Sequence, residues 1–212
     1  FAPWDNDFRP LYASARMRLL ALGGGAEADH AALPIQGSGH FGMEAALRAL
    51  LPLAERILIP MTGSYAERMA RLARETGREP VVLPASRAEP VDPDSVRKAL
   101  ADPTIAMVGL VQSETSSGIV NDIVAIGAVA RAGGRRLLVD AVSAFGALPL
   151  DLAAQPEIAA AVFTPNKCIE GMPGLVIDLA RRKALPAPGA AGACCFDLAD
   201  ILDHAERRGW GS

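Results

Sequence analysis

The chain has 212 residues, 50 % of them hydrophobic, and 21 basic against 24 acidic side chains leave a net charge of −3. That length carries one sizeable core or two small ones, and the slight acidity leaves no electrostatic footprint for nucleic acid or an anionic membrane. No apolar stretch reaches the ~18 residues of a membrane span. The opening FAPWDNDF lacks a signal-peptide pattern, so a cytoplasmic location is expected. Three cysteines (Cys168, Cys194, Cys195) and the scattered His30, His40 and His204 form neither a disulfide framework nor metal-ligand spacing.

In chain order, the turn QGSGH (36–40) runs into a helix over 41–51. Residues 57–59 read as a strand, followed by a helix over about 64–76 that Gly77 ends. A strand over 80–83 comes next, and Asp92, with Pro93 in the first turn, opens a further helix. Then follow a strand at 105–111, a helix at 122–131, and strands at 137–140, 159–164 and 175–179. Residues 184–193, rich in Ala, Pro and Gly, read as a linker, and a last helix covers about 198–208. The strands are short and apolar without polar alternation, as in strands buried on both faces of a parallel sheet. Strand–helix alternation therefore predicts a three-layer α/β domain with a mostly parallel sheet from about Leu33 to Leu179. Residues 1–183 form its core, and 184–212 lead away from it.

Ligands of open α/β sheets bind beyond the carboxyl ends of the strands, and three segments there carry chemistry. Ser38, Gly39 and His40 stand where glycines allow close backbone approach and a helix N-terminus offers free N–H groups to an anion. Alone, such a turn also serves as a plain connection. Asp140 ends an apolar strand, where a carboxylate either caps a turn or holds a cationic partner. Lys167 lies in TPNKCIEGMPG, between a strand and a Gly/Pro-rich loop. Only three of the basic residues are lysines (Lys98, Lys167, Lys183). Only a lysine can present a neutral amine, because the guanidinium of arginine stays protonated. Lys98 falls on an amphipathic helix and Lys183 on the ARRKAL segment, both read as surface positions, which leaves Lys167 as the candidate for covalent chemistry.

A glycine turn, a strand-end Asp and, 27 positions later, a loop Lys stand in the order used by fold-type I pyridoxal 5′-phosphate enzymes. QGSGHFGMEA, ETSSGIVND, VDAVSAFGALPLD and NKCIEGMPG resemble the class V aminotransferase family, and within it the 2-aminoethylphosphonate–pyruvate aminotransferases. WDNDF and CCFDLADILDHAERRGW extend the resemblance over nearly the whole chain. The resemblance implies a fold-type I large domain, with the C-terminal small domain and its carboxylate-binding arginine lying beyond this chain. It implies pyridoxal 5′-phosphate as cofactor and Lys167 as the Schiff-base lysine that also moves the substrate α-proton. Asp140 would pair with the pyridinium nitrogen, Ser38, Gly39 and His40 would hold the phosphate, and Asn166 would assist there. Thr115 would bond the phenolic oxygen, with Tyr65 packing on one cofactor face and Val142 on the other. The expected partners are an amino donor, a 2-oxo acid acceptor and a second copy of the chain. The expected reaction converts 2-aminoethylphosphonate and pyruvate to phosphonoacetaldehyde and L-alanine.

Two departures from the pattern stand out. His40 resembles the alanine–glyoxylate branch, so alanine or serine with glyoxylate is the alternative chemistry. Asp178 places an acid inside a strand where the family is usually apolar, and its burial without a partner would be costly. Cys194-Cys195 invite comparison with cysteine desulfurases, but their surroundings do not match, and packing is the expected role. A cofactor-binding core without activity of its own and a phosphate-binding α/β domain remain as rival readings. The second leaves Asp140 and Lys167 unexplained.

Overall fold

The computed structural model describes residues 6–182. The linker, the last helix and Cys194-Cys195 read from the sequence lie outside the described residues. In chain order the elements are α1 (Phe8–Leu22), β1 (His30–Gln36), α2 (Gly39–Leu50), β2 (Arg56–Pro60), α3 (Ser64–Glu75), β3 (Glu79–Leu83) and α4 (Pro93–Ala99). Then come β4 (Ile105–Val111), β5 (Ser113–Glu114), β6 (Ile119–Val120), α5 (Ile123–Ala132), β7 (Arg136–Asp140), β8 (Ile158–Phe163) and β9 (Leu175–Arg181).

Seven strands form one sheet in the order β1-β9-β8-β7-β4-β2-β3. The pairs β8/β7, β7/β4, β4/β2 and β2/β3 are parallel, and β9 alone runs against both of its neighbours. The expected mostly parallel sheet is thus present, extended to His30 and Arg181. Successive strand residues feed opposite faces, as the pleat requires: Leu137 and Val139 join one core with α4, α5 and the end of α1, while Leu138 joins the other with α2 and α3. This makes three layers. Local signals behave as read at Asp92, whose side chain caps α4 through two N–H groups, and at Gly77, which leaves α3 at a φ of 78°. Asp122 caps α5 in the same way, which the sequence reading did not assign.

The sequence pattern did not announce α1, in which only Arg16 and Leu20 are buried, nor the two-residue β5/β6 ribbon. Asp178 sits in the middle of β9 between Leu33 and Val162, fully buried, and neither carboxylate oxygen has a hydrogen-bond partner among the described residues. Burial pushes its carboxyl well above the usual range.

Candidate active site

A cavity of about 300 Å³ opens beyond the carboxyl ends of β1, β7 and β8, on the side of the sheet covered by α2 and α3. From the first segment come Gly37, Ser38, Gly39 and His40. Ser38 is the N-cap of α2 in extended conformation, yet its hydroxyl makes no capping bond. The first N–H groups of any helix have no intrahelical acceptor, so the turn presents donors and a free hydroxyl together. A Cβ on Gly39 would stand 2.9 Å from Val142 Cγ2, so glycine lets the helix end close onto the strand end.

Asp140 and Val142 form another part of the lining. The Val142 N–H donates to Asp140 Oδ1 at 3.0 Å, the one hydrogen bond of that carboxylate among the described residues. One edge of Asp140 remains partly exposed toward the cavity. Burial is the main cause that pushes its carboxyl up to about 6. The Val142 hydrogen bond opposes that shift, Glu114 adds to it, and Arg68 opposes it. Such a carboxylate is incomplete without a cation or an N–H donor. Thr164, just after β8, also lines the cavity, and its buried Oγ1 has no hydrogen-bond partner among the described residues.

Asn166 and Lys167 come from the loop after β8. That loop is turned back by Gly171 N–H on Pro165 O at 2.7 Å and Glu170 N–H on Lys167 O at 3.2 Å, with Glu170 at a φ of 53°. Lys167 is exposed, and no carboxylate lies within ion-pair reach of it among the described residues. From α3 come Tyr65 and Arg68, the guanidinium carbon 5.1 Å from the Tyr65 ring centroid.

Eight of the nine residues assigned from the sequence therefore line one cavity, although they come from four separate segments. Thr115 does not line it: the residue is exposed, and its hydroxyl donates to Ser143 Oγ at 2.8 Å, next to Val142. Sequence reasoning missed Arg68, although its spacing of three from Tyr65 on a helix was a usable signal. It also passed over Thr164 and the buried Glu114. The donor set fits pyridoxal 5′-phosphate. Among the described residues, the N-terminus of α2 has no side-chain cap and suits the phosphate, Asp140 has room for the partner that a ring N–H would supply, and the Lys167 amine has no ion-pair partner. No group of His, Cys, Asp and Glu suited to a metal occurs among the described residues, and no helix there is long and apolar enough to cross a membrane.

Comparison with known proteins supports the same grouping. The aminotransferase class-V family profile matches residues 11–188. The 2-aminoethylphosphonate–pyruvate transaminase 2 of Burkholderia lata is 40 % identical over 206 residues, which is 96 % of this chain and 54 % of that protein. The chain thus spans about half the length of the curated relatives it matches. Among solved structures, an aspartate aminotransferase from Thermus thermophilus superposes with a TM-score of 0.83 at 26 % identity, over 97 % of this chain and 57 % of that one. The pyridoxamine–pyruvate aminotransferase of Mesorhizobium loti gives 0.77 at 27 % identity, over 87 % and 46 %.

Proposed function

The chain belongs to the class V aminotransferase family, and we propose that it is the cofactor-holding part of a pyridoxal 5′-phosphate enzyme that transfers an amino group from 2-aminoethylphosphonate to pyruvate. The observation that carries this reading is the convergence of Ser38, Gly39, His40, Tyr65, Asp140, Val142, Asn166 and Lys167 on one cavity. The relatives at about 40 % identity that bear the phosphonate activity in their names support the substrate.

When bound there, the cofactor supplies an electron sink for the charge left on a substrate carbon that has lost its proton. The chain's own residues do the rest. The Ser38 hydroxyl and the N–H groups at the start of α2 bind the phosphate, with Asn166 beside them. Asp140 holds the proton of the ring nitrogen, and its otherwise unsatisfied carboxylate gains a charge-assisted hydrogen bond in doing so. Tyr65 and Val142 confine the ring from two sides and keep water from its faces. Lys167 would hold the cofactor through its amine, and its Nζ, when free, would take up the proton of the substrate carbon. Lys167 has no carboxylate partner among the described residues, which suits an amine that must be neutral for part of each cycle.

The second reading, alanine or serine as donor to glyoxylate, is favoured by His40 at the start of α2 in place of a hydroxyl side chain. Coupled assays on the full-length gene product decide between them. The proposal expects 2-aminoethylphosphonate with pyruvate to give the highest kcat/KM. A preference for alanine or serine with glyoxylate would replace it.

A further inference from the structure

Glu114 is fully buried in β5, and no lysine, arginine or histidine pairs with it among the described residues. A buried carboxylate in that position must be satisfied by hydrogen bonds. Its partners are at the start of α3, 49 residues away in sequence: Oε2 accepts from Tyr65 N–H and from Ala66 N–H, each at 3.1 Å. Oε1 accepts from the Ser116 hydroxyl at 2.6 Å and the Ser116 N–H at 3.3 Å, and Ser116 Oγ in turn accepts from Ser64 N–H at 2.9 Å. The N-cap of α3 is Gly63, which has no side chain with which to cap the helix itself. A Cβ on it would stand 2.4 Å from Ser116 Oγ and 2.6 Å from the Glu114 carboxylate carbon. The cap of α3 therefore comes from another segment, and the space for it is kept by glycine.

The helix end so held is the one that carries Tyr65 into the cavity and Arg68 one turn later. The residue after Glu114 is Thr115, whose hydroxyl reaches Ser143 beside Val142. One short segment thus touches α3 and the loop after β7, both of which supply residues to the cavity wall.

We propose that Glu114 is a positioning residue: its carboxylate tethers the start of α3 to β5 and thereby sets the Tyr65 ring against the cofactor. The inference rests on the cofactor reading above for what Tyr65 packs on, but the tether itself is a property of the polypeptide. A cap only stabilises a helix, and another cap can replace it. A tether also fixes where the helix end lies, and a cap supplied by the helix itself cannot replace that.

The test compares Glu114→Ala with the double substitution Gly63→Asp, Glu114→Ala in the full-length protein. Removing Glu114 clears its carboxylate from the space at Gly63 and releases the Ser116 hydroxyl, which stands 2.4 Å from the new Cβ and must rotate away, so that Asp on this extended backbone can cap α3 locally. Glu114→Ala is expected to lower the melting temperature and speed amide exchange at Tyr65 and Ala66. It should weaken cofactor retention by about tenfold or more, the scale of lost bonds to a charged acceptor, and reduce the circular dichroism induced in the band of the bound cofactor. The double variant should regain the melting temperature and the amide protection while retention and induced dichroism stay low. Recovery of all four in the double variant would reduce Glu114 to a cap and overturn the proposal. Unchanged exchange and dichroism in Glu114→Ala would overturn it as well. If Glu114→Ala does not fold, Glu114→Gln, which keeps the volume and loses one acceptor oxygen, is expected to show the same loss of dichroism per bound cofactor, and unaltered dichroism would count against the tether. The exchange arm needs no cofactor, so it fails or succeeds independently of the proposed function.

Discussion

Two aspartates on nearby strands of the same sheet show how position decides what a buried carboxylate does. Asp140 ends β7 at the cavity, has one N–H donor from Val142, and is raised to about 6. Asp178 lies in the middle of β9 against the α2 core, with no donor at either oxygen among the described residues, and burial pushes its carboxyl well above the usual range. Both are expensive in the folded chain alone. Only Asp140 has an open side through which a ligand can end that cost, so a cofactor with a ring N–H stabilises the protein where it stabilises its own protonated form. Asp178 has no such outlet.

Substitution separates the two most sharply in activity. Asp140→Ala is expected to lower kcat/KM by about 10²–10⁴-fold, the range for losing a positioned proton-holding group, while Asp178→Val leaves kcat/KM within about twofold. Steady-state kinetics on the full-length protein checks both, and comparable losses in the two variants would erase the distinction. Stability should order them the other way. At neutral pH, Asp178→Val is expected to raise unfolding free energy by about 1–3 kcal/mol, by removing a buried polar group that lacks a partner. Denaturant titration measures it.

The pH dependence sharpens the contrast further. A raised carboxyl pKa contributes stability that is fully present below the unfolded value and is lost as pH rises through the folded one. For Asp140 without cofactor the window runs from about 4 to about 6, and the loss amounts to roughly 2–3 kcal/mol. For Asp178 the decline starts at the same lower edge and continues to higher pH. Melting of the cofactor-free protein should therefore fall from pH 4 toward neutrality, less steeply in Asp178→Val. Added cofactor should remove the Asp140 share, because the ionised carboxylate then has its partner. The smallest effect is expected at Thr115, whose hydroxyl bonds Ser143 rather than facing the cavity. Thr115→Val should leave cofactor affinity within about twofold, because the lost neutral hydrogen bond lies outside the cavity and acts on it only through Ser143, as read by equilibrium dialysis.

Much of this was legible in the chain because it depended on local chemistry. The apolar run at 105–111 coincides with β4, and Asp92 announced its cap. Residues at strand ends reached one cavity because strand ends converge in any sheet of this kind. What stayed hidden depended on distant partners. The reversal of β9 follows from its pairing with β1 and β8, which no residue of LVIDLAR encodes alone. Helix α1 shows little periodic burial, so its pattern was silent. Asp178 could be recognised as a problem, yet whether a donor faced it required coordinates. The role of Glu114 was unreadable because the helix it caps begins at a glycine far upstream.

The central claim is that the cavity residues serve a cofactor bonded at Lys167, and one measurement addresses it directly. The full-length protein is incubated with pyridoxal 5′-phosphate, reduced with borohydride, digested and mapped by mass spectrometry. The account predicts a pyridoxyl group on Lys167 and its loss in Lys167→Arg, which keeps the charge and the fold but has no amine to bond. A pyridoxyl group on Lys98 or Lys183 instead, or none on any lysine, would contradict it.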